Sequence, residues 1–386
     1  MTLPIDQRAS DPVSSIMKMA AQADAGAVPV SPDVYISEAL LELEYERIFK
    51  RQWCCVGRTD EFVNPGDYRT TDVGIVPIIV NLRADGTLGG MVNVCSHRLA
   101  TVASGTGNAK RFACPYHGWV YDADGTLLNA PRMPDSFDKS RCALKPVKVE
   151  CWNGFVYVNI DPDAPSLAEG LKPLESLFRN YHMEKMQTLH RGQEIWNANW
   201  KVATENFLES YHLEMTHAGT IGSLFSQDTL RMISEGPNFA FHAFAVGEEL
   251  IFPQDEAIAL ANPDLTEADK RIVYVGGVFP NHLFTVAYDQ FTWMRAQPYG
   301  VNQTLIDWGV AGAFNIPRGT KPDPSHPNLY YLHEIPKVNV EDSGIVARVQ
   351  KGARSGMVTP AALQPNEHGL LTFARFLSRC LSEAPA

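Results

Sequence analysis

The sequence has no apolar run that is long enough to cross a membrane. Its apolar stretch from Val73 to Leu82 falls far short of the roughly 20 residues that a spanning helix needs, and it predicts a buried strand. The N-terminus, MTLPIDQRASDPVSSIMKMAAQADAG, also lacks a basic segment followed by an apolar one. We therefore expect neither a secretory signal nor a membrane partner.

Basic residues and paired cysteines are scarce as well. Lysine and arginine total 33 against 44 acidic residues, and the net charge of −11 argues against a nucleic-acid partner. The seven cysteines are an odd number, spread over 386 residues, and do not form a disulfide pattern. Such cysteines are typical of free or metal-bound thiols in a reducing compartment, so we expect a cytoplasmic location.

The length and patterning predict more than one domain. Hydrophobic residues make up 45% and charged residues 20%, an ordinary globular balance, and 386 residues are enough for two sizeable cores. Residues 1–45 combine a polar arm with the start of a helix, which we expect to pack on the last domain. Short runs divided by turns predict an antiparallel β domain over residues 46–162. Mixed patterns predict an α+β domain with an antiparallel sheet over residues 163–386.

Several local signals predict individual elements. Ser37 is a candidate cap for the first helix. Asp85-Gly86 and Asp124-Gly125 stand between apolar runs and predict two hairpins. In the last domain the patterns predict helices at about 198–217, 341–351 and 366–382, and strands at about 239–252, 272–279, 282–288 and 304–312.

Two short motifs in the β domain each carry a cysteine and a histidine. They are Cys95-Ser96-His97 and Cys114-Pro115-Tyr116-His117, with sixteen residues between them. Each motif places two metal-binding side chains on one tight loop, and two such loops can close around a metal centre. Two thiolates and two imidazoles can hold tetrahedral zinc, or a Rieske 2Fe–2S cluster with the cysteines on one iron and the histidines on the other.

The segment from Asn199 to His217 is unusually polar for a helix with a buried pattern. Burying such groups is costly unless each finds a partner or a metal. Glu209 and His212 are three residues apart and share a helical face, whereas His212 and His217 are five apart and diverge. The helix must therefore loosen or end between the two histidines for both rings to reach one ion. Two histidines and a carboxylate are typical of non-haem Fe(II) oxygenases.

These motifs resemble those of the Rieske non-haem iron oxygenases, the family of aromatic-ring-hydroxylating dioxygenase and Rieske monooxygenase alpha subunits. CSHR and CPYHGWVYDADGTL are similar to the two Rieske loops, and N-W-K followed by E-N, an acid, Y-H and a second histidine is similar to the mononuclear iron motif. The resemblance covers nearly the whole chain. It implies an α+β fold, with a Rieske-type antiparallel β domain and a helix-grip-like catalytic domain.

The resemblance also implies the metal ligands. These are Cys95, His97, Cys114 and His117 for the 2Fe–2S cluster, and His212, His217 and Asp342 for a mononuclear Fe(II). Glu341, beside Asp342, is the chief rival for the third iron ligand. Asn206 matches a family asparagine near the iron.

Glu209 occupies a position where many family members carry aspartate. In the family this carboxylate joins an iron-ligand histidine to a cluster-ligand histidine of a neighbouring chain, here His212 and His117. The resemblance therefore implies a homotrimer in which electrons cross between subunits, with Glu209 and Asn206 as catalytic residues.

The implied activity is that of a terminal oxygenase. Electrons from NAD(P)H arrive through a reductase, often with a ferredoxin, and O₂ is used to hydroxylate a small organic substrate. Glu209 resembles the subgroup that oxidises carbon beside nitrogen, so we favour monooxygenation with N- or O-dealkylation of an N-alkyl or quaternary ammonium compound. The alternative is cis-dihydroxylation of an aromatic ring or aromatic carboxylate. A Rieske electron-transfer protein without oxygenase activity is a rival of another class, and the polar segment 199–217 argues against it.

Overall fold

A computed structural model describes residues 11–23, 26–245, 262, 264–288, 290–312 and 330–382. It divides into two compact units. The β unit runs from Phe49 to Glu169, and the α+β unit combines the residues before Phe49 with those from Gly170 onward. None of the described helices is both long enough and apolar enough to span a membrane.

The β unit is built from antiparallel strands. Its strands are β1 Cys54–Arg58, β2 Asp67–Val73, β3 Val76–Leu82, β4 Leu88–Val92, β5 Thr106–Asn108, β6 Arg111–Ala113, β7 Val120–Asp122, β8 Leu127–Asn129, β9 Pro146–Trp152 and β10 Phe155–Asn159. Seven of them form a sheet in the order β1-β10-β9-β4-β3-β2-β5, and the other three form the sheet β6-β7-β8. One seven-stranded sheet and one three-stranded sheet thus give this unit the antiparallel architecture that was predicted for it.

Both predicted hairpins of the β unit are confirmed. Asp85-Gly86 lies in the turn from β3 to β4, and Asp124-Gly125 lies in the turn from β7 to β8. Gly86 has φ +82° and Gly125 has φ +90°, backbone conformations that other residues rarely adopt. Glycine is therefore what allows each chain reversal to be so short.

The α+β unit contains, within its described ranges, one antiparallel sheet in the order β11-β17-β16-β15-β14-β13-β12. Its strands are β11 Gln187–Trp196, β12 Arg231–Gly236, β13 Phe239–Ala245, β14 Ile272–Val278, β15 His282–Val286, β16 Gln290–Pro298 and β17 Thr304–Gly312. The helices along the chain are α1 Pro12–Ala20, α2 Glu38–Glu44, α3 Leu167–Phe178, α4 Trp200–Leu208, α5 Leu213–Thr216, α6 Tyr330–Ser355 and α7 His368–Ser382. The predicted α+β class is confirmed.

The strand register separates two faces of this sheet, because side chains alternate along a strand. On the back face, the Phe178 ring of α3 lies 5.2 to 5.7 Å from the rings of Phe241, Tyr274 and Phe284. On the opposite, front face, helix α4 packs against β14, β15 and β16. The front face carries the residues that alternate along the strands with those of the back face. Among them are the cross-strand pairs Thr285 with Thr292 and Met294 with Trp308.

Some elements differ from the sequence prediction. Strands β11, β12 and β16 were not predicted. Strands β11 and β12 are the two edges of the sheet and stay partly exposed, so they lack a clear apolar pattern. Helix α6 begins at Tyr330, eleven residues before the predicted start at 341. Proline usually ends a helix, so Pro336 in its interior hid the earlier turns from the sequence pattern. Part of the strand predicted at 239–252 lies outside the described residues.

A buried ion pair fixes helix α4 against helix α2. Lys201 Nζ lies 2.7 Å from Glu44 Oε1, and both side chains are almost completely buried. The Trp200 indole N–H donates to the other Glu44 oxygen at 2.7 Å. Four residues after Lys201, Glu205 accepts a 2.7 Å hydrogen bond from the Tyr35 hydroxyl, and burial raises the pKa of Glu205 to about 7.

The ion pair makes a testable prediction about stability. Lys201→Met leaves the Glu44 carboxylate buried without a cation, and this should cost about 3 to 5 kcal/mol of unfolding free energy in urea denaturation. Replacing both residues, Lys201→Met with Glu44→Gln, should cost less than the sum of the single changes. Lys270→Met, which breaks the partly exposed pair with Glu267, is the matched control and should cost under about 1 kcal/mol. A Lys201→Met loss as small as the control would contradict this role.

Candidate metal centres and the adjoining cavity

The two cysteine–histidine loops of the β unit close in the same way. In the first, the Cys95 amide donates to the Ala100 carbonyl at 2.8 Å, and the Leu99 amide donates to the Cys95 carbonyl at 2.9 Å. The second loop repeats both bonds. The Cys114 amide donates to the Trp119 carbonyl at 2.7 Å, and the Gly118 amide donates to the Cys114 carbonyl at 3.0 Å. The fourth residue after each cysteine has positive φ, +64° at Leu99 and +70° at Gly118. The two motifs are thus one loop structure used twice.

The side chains of these loops are arranged in two layers. Cys95 and Cys114 are buried, with 1% and 3% exposure, whereas His97 and His117 are exposed. The two imidazole rings have centroids 4.6 Å apart. The His97 ring stacks on Trp119 at 4.8 Å, with the planes 6° apart. The thiols therefore lie inside the unit and the imidazoles lie at its surface.

Tyr121 is a further group at this site that the sequence reasoning missed. Its hydroxyl lies 3.1 Å from Cys95 Sγ. Burial, and then the neighbouring Cys95, raise the pKa of Tyr121 to about 12, so the hydroxyl keeps its proton and can donate to the sulfur. The signal available in the sequence was the position of Tyr121 in the middle of the short strand β7, where the alternation of side chains makes it the buried residue.

The paired loops fit a two-iron cluster better than a single ion. Tetrahedral zinc holds each ligand atom about 2.0 to 2.3 Å from one centre, so all four ligand atoms would lie close together. Here the two thiols form one buried pair and the two imidazoles form a separate, exposed pair. Separate cysteine and histidine pairs match a Rieske cluster, in which they bind different irons.

His212, His217 and Asp342 form the second candidate centre. Their ligand atoms all lie within 4.8 Å of one another. His217 Nε2 is 3.2 Å and His212 Nε2 is 3.5 Å from the same oxygen, Oδ1 of Asp342. Both imidazoles thus present Nε2 to one point, which suits an ion held by two histidines and one carboxylate.

A break in the helix brings these histidines together. Helix α4 ends at Leu208, and Glu209 has an extended backbone with φ −125° and ψ 162°. The Glu209 carboxylate accepts from the Tyr211 and His212 amides at 2.5 and 3.2 Å, and this stabilises the turn. The predicted helix over 198–217 is therefore interrupted before both histidines, earlier than the expected break between them.

Each imidazole has a carboxylate on its other nitrogen. Glu209 Oε1 lies 2.5 Å from His212 Nδ1, and Glu341 Oε2 lies 2.7 Å from His217 Nδ1. The Thr220 hydroxyl donates to the same Glu341 oxygen at 2.7 Å. Such carboxylates fix the tautomer of a metal-binding histidine and raise its basicity. Glu341, the rival for the third ligand position, therefore lies on the far side of the His217 ring from Asp342.

The electrostatics of the centre favour a cation. Burial lowers the pKa of His212, but hydrogen bonds to Asp342 and Glu209 outweigh burial and raise that pKa to about 9. Burial likewise raises the pKa of Asp342, but its bonds to His212 and His217 hold that pKa below its usual value. The carboxylates thus favour positive charge at the point where Nε2 of both rings meets Oδ1, which fits a divalent metal.

Asn206 lies at the same point. Its Nδ2 is 3.1 Å from His212 Nε2 and 3.2 Å from Asp342 Oδ1. Its Oδ1 is buried and has no hydrogen-bond partner in the described part of the chain. The structure therefore brings together all the residues that the sequence singled out for this centre.

A cavity of about 100 Å³ adjoins the centre. Asn206, Glu209 and His212 contribute to its wall, together with residues on the front face of the sheet. The remaining wall is mainly apolar and aromatic, and includes Trp196, Phe207, Leu213, Ile221, Phe225, Phe244, Val275, Met294, Trp308, Ile335 and Val338. Most small-molecule sites are apolar in this way, with a few polar groups that fix orientation.

Two tryptophans of the cavity wall are held by one carboxylate. Glu194 accepts from the Trp308 indole N–H at 2.8 Å and from the Trp196 indole N–H at 3.2 Å. Gly192 lies under Trp308, where any side chain would meet the indole at 2.5 Å. Sequence reasoning missed this arrangement because Glu194 and Trp308 are 114 positions apart.

Comparison with known families identifies the chain. Residues 178–383 match the family described as "Ring hydroxylating alpha subunit (catalytic domain)", and residues 52–152 match the "Rieske [2Fe-2S] domain". The chain belongs to the ring-hydroxylating alpha subunit family, as its motifs predicted. It therefore has a Rieske 2Fe–2S domain and a catalytic domain for a mononuclear iron.

Individual relatives include dioxygenases and monooxygenases. The chain is 36% identical over 210 residues to the chlorobenzene dioxygenase alpha subunit of Cupriavidus sp. (strain PS12), which covers 52% of this chain and 46% of that protein. It is 36% identical over 200 residues to the carnitine monooxygenase oxygenase subunit of Acinetobacter pittii, over 49% of this chain and 53% of that one. The chain thus spans about half the length of the curated relatives it matches.

Solved structures share the fold over almost the full chain. A quaternary ammonium Rieske monooxygenase in complex with L-carnitine superposes with a TM-score of 0.79 over 94% of this chain and 98% of that one, at 24% identity. Naphthalene 1,2-dioxygenase with bound indole gives 0.75 over 92% of each chain, at 22% identity. At these identities the likeness establishes the fold alone.

The geometry predicts different outcomes for the two neighbouring acids. Asp342→Ala should abolish iron binding at the mononuclear centre, while the visible spectrum of the cluster persists. Glu341→Gln should weaken iron binding about 10- to 100-fold without abolishing it, because it only removes the charge beside His217 Nδ1. Titration of the apoprotein with Fe(II) measures both. Complete loss in Glu341→Gln with retention in Asp342→Ala would reverse the assignment.

Proposed function

We propose that this chain is the terminal oxygenase component of a Rieske non-haem iron system. It uses O₂, and electrons supplied from NAD(P)H through a reductase and often a ferredoxin, to hydroxylate a small organic substrate. One observation carries the proposal: two imidazole Nε2 atoms and one Asp342 oxygen converge beside an apolar cavity. A Rieske electron-transfer protein would not need this second centre.

The ligand sets follow from the two geometries. Cys95 and Cys114 would hold one iron of the cluster, and His97 and His117 the other. His212, His217 and Asp342 would hold the mononuclear iron, which when bound supplies the chemistry of O₂ activation. We also propose the domain bounds predicted from the sequence, a Rieske domain over residues 46–162 and a catalytic domain over residues 163–386, with the N-terminal arm and helix over residues 1–45 packed on the latter. The division of the chain into two compact units near these bounds supports this proposal.

The chain's own residues prepare the reaction. Glu209 and Glu341 hold the two imidazoles so that Nε2 faces the metal. Asn206 places its amide nitrogen beside His212 Nε2 and Asp342 Oδ1. The apolar wall around Trp308 and Phe244 excludes water and orients the substrate toward the centre.

We favour monooxygenation with N- or O-dealkylation of an N-alkyl or quaternary ammonium compound. The match to carnitine and glycine betaine monooxygenase subunits supports this choice. The alternative, cis-dihydroxylation of an aromatic ring or aromatic carboxylate in hydrocarbon catabolism, is supported by equally similar benzene and chlorobenzene dioxygenase subunits. The aromatic cavity wall suits either substrate, since tryptophan faces bind both cations and rings.

Product analysis tests the activity. Purified protein with a surrogate reductase is supplied with N-alkyl, O-alkyl and arene substrates under O₂. Dealkylation should release formaldehyde or a higher aldehyde, whereas dihydroxylation gives a cis-diol. We expect three irons per chain in the active protein. Stoichiometric zinc without acid-labile sulfide would contradict the proposal.

We further propose a cytoplasmic homotrimer in which electrons cross between subunits. Inter-subunit electron transfer is described for a solved quaternary ammonium Rieske monooxygenase. Glu209 is suited to electron transfer between subunits because its Oε1 already contacts His212 Nδ1. The His97 and His117 rings are exposed and can contact a neighbouring chain. In this arrangement Glu209 would join His212 to His117 of the next chain.

The substitution Glu209→Gln tests whether electrons pass between subunits through Glu209. It keeps the size of the side chain but removes the charge that polarises the imidazole. The variant, loaded with excess Fe(II) to offset its weaker iron binding, should form an intact trimer, hold both metals and accept electrons from its donor. Re-oxidation of the cluster in stopped-flow absorbance, and product formation with it, should fall sharply.

Glu209→Asp, the residue common in the family, is the control and should retain more of the rate than Glu209→Gln. An unimpaired Glu209→Gln variant would remove Glu209 from the electron route. A monomeric wild-type protein with full turnover would contradict the trimer itself.

A further inference from the structure

Two threonines face each other on the front face of the sheet and both line the cavity. Thr285 of β15 and Thr292 of β16 are register partners, and both side chains are half-buried. Cross-strand partners have their β-carbons about 4.5 to 5.5 Å apart, so one small group can reach both hydroxyls. The metal-binding side chains come from the helices, whereas this pair comes from the sheet.

Neither hydroxyl has a hydrogen-bond partner within the described ranges. The fully buried threonines of the same unit behave differently. Thr204 donates to the Trp200 carbonyl at 2.8 Å, and Thr304 donates to the Ala198 carbonyl at 2.7 Å.

Packing alone would not require these hydroxyls. Valine has the same branched shape and suits a strand equally well. Neither hydroxyl is among the buried side-chain atoms that lack a partner in the described part of the chain, so both are accessible from the cavity that they line. The neighbours of the pair in register are apolar, Val275 beside Thr285 and Val310 beside Thr292. The two hydroxyls therefore form an isolated polar point that faces into the cavity.

The charges around the cavity decide what kind of group fits there. The charged side chains among the described lining residues are the acids Glu209 and Asp342, apart from the two histidines, and no lysine or arginine is among them. A carboxylate buried at the threonines would have no lysine or arginine to pair with among the described lining residues, which is strongly unfavourable. An uncharged oxygen needs only the two hydroxyl donors.

We propose that Thr285 and Thr292 form a hydrogen-bonding subsite for an uncharged oxygen of the substrate, such as a carbonyl, ether or hydroxyl. The subsite rests on the proposed function only in taking the cavity as the substrate site. It anchors one end of an apolar molecule on the sheet and presents the rest to the metal centre. It also separates the expected substrate from zwitterions that carry a carboxylate, such as carnitine.

Calorimetric titration of the full chain without reductant tests the subsite. The probes are ethylbenzene, acetophenone and benzoate, which have similar shapes but offer no oxygen, an uncharged oxygen and a carboxylate. Wild type should bind acetophenone about 3- to 10-fold more tightly than ethylbenzene, the effect of one net hydrogen bond, and benzoate most weakly.

The double variant Thr285→Val with Thr292→Val should lose the preference for acetophenone, while its affinity for ethylbenzene stays within about twofold. The matched control, Thr285→Ser with Thr292→Ser, keeps both hydroxyls and should keep the preference. The serine control separates the hydroxyls from any change in packing.

Three results would overturn the subsite. They are a preference that survives in the double valine variant, tight binding of benzoate by wild type that is lost in the double valine variant, and no detectable binding of acetophenone. Because no turnover is involved, a failure of the proposed oxygenase activity would leave the binding preference intact. Product formation with an unchanged preference in the valine variant would overturn the subsite alone.

Discussion

The buried ion pair of Lys201 with Glu44 holds the helix on which the catalytic centre is built. Trp200 adds a second bond to the same carboxylate, so two adjacent residues in the first turn of α4 are bound to the last residue of α2. Asn206 then reaches the centre from the last turns of the helix, and Glu209 begins the extended segment that brings both histidines round. Such a pair is not needed for net stability, since apolar packing would serve. It provides a single position for the helix.

The sequence predicted most of what depends on local chemistry. Asp-Gly pairs marked the hairpins, Ser37 does accept from the Leu40 amide at the start of α2, and the cysteine–histidine loops identified the β unit. These signals need only a few neighbouring residues. The family also followed from them, because two motifs in the right order are far more specific than either alone.

What could not be predicted depends on residues that are distant in the sequence. Nothing near Lys201 indicates Glu44 as its partner, 157 positions away. Strand β16 contains the buried Arg295, whose guanidinium lies 2.9 Å from Asp307 on β17. The role of Glu341 was hidden for the same reason, since only the fold places its carboxylate beside His217. Tertiary partners decide such positions, and pattern alone does not show them.

Glu341 and Asp342 are consecutive residues on one long helix, α6. Neighbouring side chains on a helix point about 100° apart, and here one carboxylate meets Nδ1 of His217 while the next meets Nε2 of both histidines. A rotation of α6 would move both contacts together. The Asp342 oxygen beside both Nε2 atoms and the Glu341 oxygen beside His217 Nδ1 are thus carried by one helix, so a displacement of α6 changes the surroundings of both nitrogens of the His217 ring at once.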